Sequence, residues 1–206
     1  MDRLIFISLY FIIMTITICT LNVNGLNVDN KQYHLSSFLL QNKIDIIFLQ
    51  EHNLKTKYDI NVLADKFEAY INETSLLKGG TGILIRKNMG IEVINVEYHY
   101  NTRIIKMKIK IKDKIFQLIN VYAHSGSNNK VDRENLFAQE ILFYLRSNID
   151  NLIFGGDFNS IIRDIDATNP YSYLKSESLK CLCSELKLKD VHNVNGVQLP
   201  QYTFIK

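Results

Sequence analysis

The hydrophobic and polar positions of this chain follow two periods, one typical of strands and one typical of helices. Residues 105–112 alternate isoleucine or methionine with lysine, and residues 115–122 form a second β-rich run after an Asp-Lys turn, which together predict a hairpin. Apolar runs predict further strands at 15–21, 44–49, 83–85, 91–96 and 152–154. Helical spacing predicts helices at 29–43, 132–147 and 176–186. Hairpins and helices in mixed order predict an α+β sandwich.

The N-terminal residues raise the question of a membrane anchor. No charged residue occurs between Leu4 and Leu21, but five Ser, Thr and Tyr residues dilute this run. If residues 15–21 are a strand, the remaining residues 4–13 are about half the length that a membrane span needs. Arg3 is the only basic residue ahead of the run, and no small-residue cleavage site follows it. We therefore expect residues 1–13 to be an apolar extension of a domain at 14–206, and neither a signal nor an anchor.

Composition narrows the class of protein without defining its function. The chain has 206 residues, of which 47% are hydrophobic and 22% charged, as expected for one globular domain. A formal charge of +3 permits a polyanionic partner but does not require one. The three cysteines form no paired CxxC clusters, which favours a reducing, intracellular compartment and argues against zinc.

Three predicted strands end in acidic or amide side chains. The segment 155–159, Gly-Gly-Asp-Phe-Asn, follows one apolar run, Gln50-Glu51-His52 follows a second, and Asn22-Val23-Asn24-Gly25 follows a third. Glycines allow a close backbone approach to a ligand, and side chains two residues apart on a strand point the same way. The repeated arrangement predicts a phosphate or metal site.

These motifs carry a family resemblance. Four motifs occur in the order found in the endonuclease/exonuclease/phosphatase superfamily, which is deoxyribonuclease I-like. They are Leu-Asn-Val-Asn-Gly at 21–25, Leu-Gln-Glu-His at 49–52, Asn-Val-Tyr-Ala at 120–123 and Gly-Asp-Phe-Asn at 156–159. Within it, the chain most resembles the apurinic-type endonuclease domain of LINE-class retrotransposons, and segments 80–85 and 202–204 resemble that group too.

The resemblance implies a four-layer α/β/β/α sandwich of two mainly antiparallel sheets with outer helices. It also implies Mg²⁺-dependent nicking of DNA, with Mn²⁺ as the alternative ion, by a protein that is nuclear if its source is a eukaryote. The remainder of a retrotransposon polyprotein would be a further partner. Hard oxygen ligands suit such an ion. The implied roles are metal binding by Glu51 and Asn22, catalysis by Asp157, Asn159 and Tyr122, and substrate contact by Asn24, Arg103 and Thr203.

The sequence departs from the family pattern at its C-terminal end. A Ser-Asp-His motif supplies the family's phosphate-pairing histidine, and the chain reaches Lys206 without one. None of its five histidines follows an aspartate, and His124 replaces the proline that often follows Tyr-Ala. We therefore expect a domain that lacks its C-terminal segment and last strands, with weak activity at best, because loss of an acid or base costs about 10²- to 10⁴-fold in rate.

Several alternatives remain open at this point. Tyr122 is either a site residue or a ring that closes the core. His52, next to the metal ligand on a strand, is expected to have a structural role or a role at the rim of the site. The lysines of 106–112 either contact DNA phosphates or form a solvated face that protects a sheet edge, which we favour. Alternative functions are a lipid or inositol phosphate phosphodiesterase of the same fold, and a non-catalytic DNA-binding fragment of a transposon. We expect no stable membrane partner.

Overall fold

The protein is described by a computed structural model. The described residues are 5–11, 14–73, 79–99, 101–145, 151–167 and 171–191, with only the backbone described for 5–11 and 14. The chain divides into two compact units. The larger consists of Leu4–Tyr122 and Asp150–Asp157, and the smaller of Met1–Arg3, Ala123–Ile149 and Phe158–Lys206.

Sheet A belongs to the larger unit. Its strands are β1 (Ile5–Phe11), β2 (Met14–Asn22), β3 (Ile46–Gln50), β4 (Phe67–Ile71) and β5 (Thr81–Arg86), in the order β1-β2-β3-β5-β4. Only the β2/β3 pair is parallel. A parallel pair needs a crossover connection, which helix α1 (Asp29–Gln41) provides.

Sheet B, also in the larger unit, contains the predicted hairpin. Its strands are β6 (Ile91–His99), β7 (Ile104–Ile111), β8 (Lys114–Tyr122) and β9 (Leu152–Asp157), in the order β6-β7-β8-β9. The β8/β9 pair is parallel and the other two are antiparallel. Five of the seven strand pairs in the two sheets are thus antiparallel, as predicted.

The two sheets pack face to face through alternate residues of their strands. Ile18, Phe48 and Ile83 of sheet A share one buried cluster with Met107 and Leu118 of sheet B. The opposite face of sheet A packs on α1 through a second cluster, which includes its Leu35 and Leu39. The predicted α+β sandwich of two mainly antiparallel sheets with helices is confirmed.

The N-terminal residues form part of sheet A. Residues 1–13 were expected to be an extension outside the domain, but Ile5–Phe11 pairs along its whole length with β2. Pairing satisfies backbone groups that a free extension would leave to water. Within the described part of the chain, no helix has the length and apolar character needed to cross a membrane.

The lysines of β7 do not protect a sheet edge. Strand β7 lies between β6 and β8, so this part of the prediction is wrong. The interpretation as a solvated face holds in part, because Lys108 and Lys110 are exposed while Lys106 is partly buried. Lys106 and Lys110 lie 3.6 and 3.9 Å from Glu97 and Glu92 of β6. Their charges are therefore partly paired across the strands.

The described residues of the smaller unit include several helical segments. Helix α2 (Lys130–Asn135) continues through a π-helical segment (Leu136–Ile141) into α3 (Leu142–Leu145), and α4 (Glu177–Glu185) begins at the cap residue Ser176. Arg133 of α2 is fully buried, and it donates hydrogen bonds to the carbonyl oxygens of His124, Gly126 and Tyr173. One buried guanidinium therefore joins the 124–126 loop to the segment before α4.

Candidate functional site

Polar side chains stand at the carboxyl ends of four strands of the larger unit. The parallel strands β2 and β3 end at Asn22 and Gln50, and Glu51 follows directly. The parallel strands β8 and β9 end at Tyr122 and Asp157, which are register partners. Parallel strands present their carboxyl ends at one edge of a sheet, so each pair brings two polar positions together.

Four of these side chains form one hydrogen-bonded cluster, which we call the site cluster (Asn22, Glu51, Tyr122 and Asp157). Asn22 Nδ2 donates to Glu51 Oε1 at 2.8 Å and to Asp157 Oδ2 at 2.9 Å. The Tyr122 hydroxyl donates to the same Glu51 oxygen at 2.8 Å. The structure thus brings together four of the eight predicted site residues, from positions as far as 135 residues apart.

The backbone at Glu51 directs its side chain into the cluster. Glu51 has a φ of +53°, in the left-handed region, where a residue other than glycine costs about 1 kcal/mol or more. Two backbone hydrogen bonds join Gln50 and Glu51 to the loop after β2. The Val23 N–H donates to the Gln50 carbonyl oxygen at 3.0 Å, and the Gly25 N–H donates to the Glu51 carbonyl oxygen at 2.6 Å. Two strand ends are therefore joined where the candidate ligands lie.

Tyr122 is a hydrogen-bond donor that keeps its proton. Burial and the hydrogen bond to Glu51 raise the pKa of Tyr122 above its ordinary value, although the nearby charge of Arg103 acts in the opposite direction. The Arg103 guanidinium lies 5.0 Å from the centre of the Tyr122 ring, and its Nη1 donates to the Tyr122 carbonyl oxygen at 3.1 Å. Arg103 therefore brings a positive charge beside the site cluster.

The glycines of β9 serve a different purpose from the one predicted. A Cβ on Gly156, whose φ is +141°, would lie 2.0 Å from the carbonyl oxygen of Val121 in β8. A Cβ on Gly155 would lie 3.1 Å from the ring of Phe48. The prediction that these glycines allow the backbone to approach a ligand is wrong, because the space beside them is filled by the protein. They allow β9 to pack closely against its neighbours and so bring Asp157 to its place.

The other predicted residues differ in how they relate to the site cluster. Asn24 is exposed, and its backbone N–H donates to Asn22 Oδ1 at 3.1 Å. Asn159 belongs to the smaller unit, where its Nδ2 donates to the Ala123 carbonyl oxygen at 3.0 Å. Thr203 lies outside the described residues.

The sequence from 19 to 203 matches the Endonuclease/Exonuclease/phosphatase family. The chain belongs to this family. The match includes all four motifs that suggested it, so the resemblance inferred from those motifs is confirmed. The family consists of nucleases and phosphatases, enzymes that hydrolyse phosphate esters.

A protein encoded by a transposon is similar to this chain. The Transposon TX1 uncharacterized 149 kDa protein of Xenopus laevis is 25% identical over 198 residues, which are 94% of this chain and 15% of that protein. The chain thus spans less than a sixth of the length of this relative. The predicted likeness to transposon-encoded proteins is confirmed.

Solved structures of other proteins share the fold. An AP endonuclease from Archaeoglobus fulgidus matches with a TM-score of 0.65 and 19% identity, over 84% of this chain and 70% of that one. The 3′ phosphatase NExo from Neisseria, bound to a product DNA hairpin, matches with a TM-score of 0.63 and 22% identity, over 82% and 69% of the chains. At such identities the likeness is one of fold.

The donor set of the site cluster suits a hard cation. Its carboxylates belong to Glu51 and Asp157, and Glu51 Oε2 accepts no hydrogen bond from any described residue, which leaves it open to an ion. The described residues contain no group of three or more His, Cys, Asp or Glu side chains placed to hold a metal. Mg²⁺ commonly keeps several waters and takes substrate phosphate, so a site with one or two carboxylates suits it.

Asn22 does not have the orientation expected of a metal ligand. A carboxylate only accepts hydrogen bonds, so the amide nitrogen must face Glu51 and Asp157, and Asn22 Oδ1 accepts the Asn24 N–H instead. In this arrangement Asn22 orients the two carboxylates. The expected ligand role would require the amide oxygen to face the ion.

His52 is fully buried behind the site cluster. Its Nδ1 accepts the Leu54 N–H at 3.0 Å, and its Nε2 lies 3.3 Å from the Thr81 carbonyl oxygen. Burial lowers the pKa of His52 to about 4, so the ring is neutral near pH 7. These contacts fit the structural role expected for His52.

Sequence reasoning missed the residues that lie beneath the site cluster. Gln50 and Asn120 are fully buried and hydrogen-bonded to each other across the two sheets. The available signal was an amide within a mainly apolar strand, since buried amides need partners.

Proposed function

We propose that this chain is a Mg²⁺-dependent phosphodiesterase that nicks double-stranded DNA, with Mn²⁺ as the alternative ion. The observation that carries the proposal is the site cluster. Two carboxylates that are oriented by one amide, with a protonated tyrosine beside them, form a site able to hold a cation and activate water. The family supports hydrolysis of phosphate esters, and the nicking of DNA is our inference.

In the proposed mechanism Glu51 would hold the ion, which would supply positive charge to stabilise the charge that develops on a phosphate. Asp157 accepts the proton of the attacking water, and Asn22 prevents both carboxylates from rotating. Tyr122 and Asn159 contact the phosphate. Neutral donors suit this place because they add no repulsion against an anionic substrate.

DNA is the proposed substrate because positive side chains flank the site cluster. Arg103 lies against Tyr122, and the Lys31 ammonium donates to the Asn24 carbonyl oxygen at 2.6 Å. Cations placed in this way neutralise backbone phosphates on either side of a cleaved bond. We propose that Arg103, Asn24 and Thr203 contact the DNA around the reacting phosphate.

The proposed partners follow from the same assignment. The transposon relative is much longer than this chain, which supports a role as one domain of a larger polyprotein. A DNA substrate would place that polyprotein in the nucleus of a eukaryotic host. No observation favours a lipid or inositol phosphate substrate, since the apolar N-terminal segment that suggested one contains β1.

Nicking of supercoiled plasmid in Mg²⁺ tests the proposal. Wild-type chain is expected to nick, whereas Glu51→Gln and Asp157→Asn, which keep side-chain size, should each lose about 10²- to 10⁴-fold in rate. Glu92→Gln is the matched control, because Glu92 is exposed on β6 and its side chain is 68% accessible. Nicking that survives Glu51→Gln would contradict the site assignment.

Two further measurements separate the alternative functions. Phosphate release from inositol phosphates without plasmid nicking would indicate the other substrate class. An ion that binds the native state must raise the thermal unfolding midpoint. If Mg²⁺ leaves the midpoint of the wild type unchanged and the wild type does not nick plasmid, a non-catalytic DNA-binding fragment would be favoured.

A further inference from the structure

The space between the two sheets changes in character towards the site cluster. Deep in the sandwich it is apolar, with Phe48 of β3 facing Leu118 of β8. Two residues further along each strand the same face carries Gln50 and Asn120, which are 1% and 0% exposed. Two residues correspond to about 7 Å along a strand. An amide layer therefore separates the apolar core from the reactive groups.

The amide layer connects the sheets through a continuous set of hydrogen bonds. Gln50 Nε2 donates to Asn120 Oδ1 at 2.6 Å and to the Thr20 hydroxyl at 3.0 Å. Asn120 Nδ2 donates to the carbonyl oxygens of Leu49 and Gly82, both at 2.8 Å. Asn120 of sheet B is thus bonded to β3 and β5 of sheet A, and Gln50 to β2.

Each side chain of the amide layer stands just before a member of the site cluster. Gln50 precedes Glu51 directly, and Asn120 lies two residues before Tyr122 on the same face of β8. The Tyr122–Glu51 hydrogen bond also crosses between the sheets, one and two residues further along the chain than the Gln50–Asn120 bond. A change in sheet separation at the amide layer must therefore change the Tyr122–Glu51 distance.

We propose that Gln50 and Asn120 are a positioning pair that sets the separation of the two sheets and thereby holds the Tyr122 hydroxyl on Glu51. Neither residue touches substrate, because both are buried. Apolar side chains could fill the same space without desolvating two amides, but each apolar contact has only a shallow energy minimum and no directionality. A 2.6 Å hydrogen bond fixes the spacing far more narrowly than apolar contact does.

The kinetic part of the test rests on the proposed function. Gln50→Met and Asn120→Leu replace each amide by an apolar side chain of similar size. Gln32→Met is the matched control, since Gln32 is also 1% exposed and its amide makes three hydrogen bonds, to Leu26, Asp59 and Val62. All three variants should be less stable, and each is assayed well below its unfolding midpoint.

The positioning role predicts a specific kinetic result. Gln50→Met and Asn120→Leu should lower kcat for plasmid nicking about 10- to 100-fold with KM within about threefold, since small misplacements of catalytic groups have effects of this size. The double variant should lose less than the product of the two single losses, because both changes remove the same bond between Gln50 and Asn120. Gln32→Met should keep kcat within about twofold. A kcat loss as large in Gln32→Met, or none in Gln50→Met, would overturn the proposal.

Crystal structures of the wild type and of Gln50→Met give a readout that does not depend on nicking. The distance between Tyr122 Oη and Glu51 Oε1, 2.8 Å here, should exceed hydrogen-bond length in the variant. An unchanged distance would overturn the positioning role even if nicking falls. If the wild type does not nick, the proposed function fails, and this distance alone decides whether the pair positions the cluster.

Discussion

Adding one methyl group at Gly156 is expected to destabilise the larger unit far more than its size suggests. A Cβ at this position would lie 2.0 Å from Val121 O and 2.7 Å from Val121 N, both backbone atoms of the paired strand β8. A flexible side chain could move away, but backbone within a sheet cannot move without disturbing its hydrogen bonds. Gly156→Ala must therefore separate β9 from β8 or distort both.

The expected loss of stability in Gly156→Ala is the sum of two separate costs. A φ of +141° is strained for alanine, at about 1–3 kcal/mol, and forcing an extra carbon into packed structure costs about 1–3 kcal/mol more. Gly90→Ala isolates the first cost, because Gly90 has a φ of +63° with no atom within 4 Å of the added Cβ. Gly155→Ala isolates the second in a mild form, since the Phe48 ring at 3.1 Å is able to shift. We expect about 1 kcal/mol for each control and about 3–5 kcal/mol for Gly156→Ala.

Urea unfolding followed by circular dichroism measures these free energies, and it suits a chain without tryptophan. For a chain of this size the larger loss corresponds to a fall in Tm of about 10 °C. Asp157 follows Gly156, so the folded fraction of Gly156→Ala should also nick DNA more slowly than either control. A free-energy loss no greater than that of Gly90→Ala would refute the close approach of β9 to β8.

Three further predictions concern charged or titratable residues. The pKa of His52 is about 4 in the folded state and about 6.5 in the unfolded state, so the unfolded state binds an extra proton as the pH falls between these values. The free energy of unfolding should therefore decline by about 3 kcal/mol over this range. Urea unfolding should show a smaller decline in His52→Gln and the same decline in His34→Gln, where the side chain is exposed. Arg133→Met leaves three carbonyl oxygens without their donor and should cost about 3–5 kcal/mol, which a lowered Tm would reveal and a change below 1 kcal/mol would contradict. Arg103→Gln should reduce by about 1 the slope of log affinity for DNA against log salt concentration, as measured by fluorescence anisotropy, whereas an unchanged slope would mean that Arg103 contacts no phosphate.

The site cluster was predictable because its signals are local. Each of its residues follows or ends a short apolar run, and such runs indicate buried strands whatever their partners. Sequence alone did not indicate which way the Asn22 amide faces, since that depends on two carboxylates that arrive from distant strands. The family resemblance supplied the grouping of the residues, and the structure supplied the hydrogen bonds.

The errors arose where a residue's role depends on what lies beside it. Sequence alone predicts that Gly156 faces a ligand, whereas in the structure the backbone of Val121 lies next to it. The lysines of β7 looked like edge residues because alternation reveals a solvated face but not the position of a strand within its sheet. Residues 5–11 looked like an extension because pairing with β2 is a tertiary contact.

The nature of the hydrogen-bond donors explains why the site cluster suits a cation. Asn22 and Tyr122 are both neutral, so they orient Glu51 and Asp157 without cancelling their charge. A lysine at position 22 would form an ion pair with the same carboxylates and reduce their attraction for a metal. Arg103 is directed instead at the backbone and ring of Tyr122. These two donors therefore leave the charges of Glu51 and Asp157 in place, and both carboxylates can attract a cation.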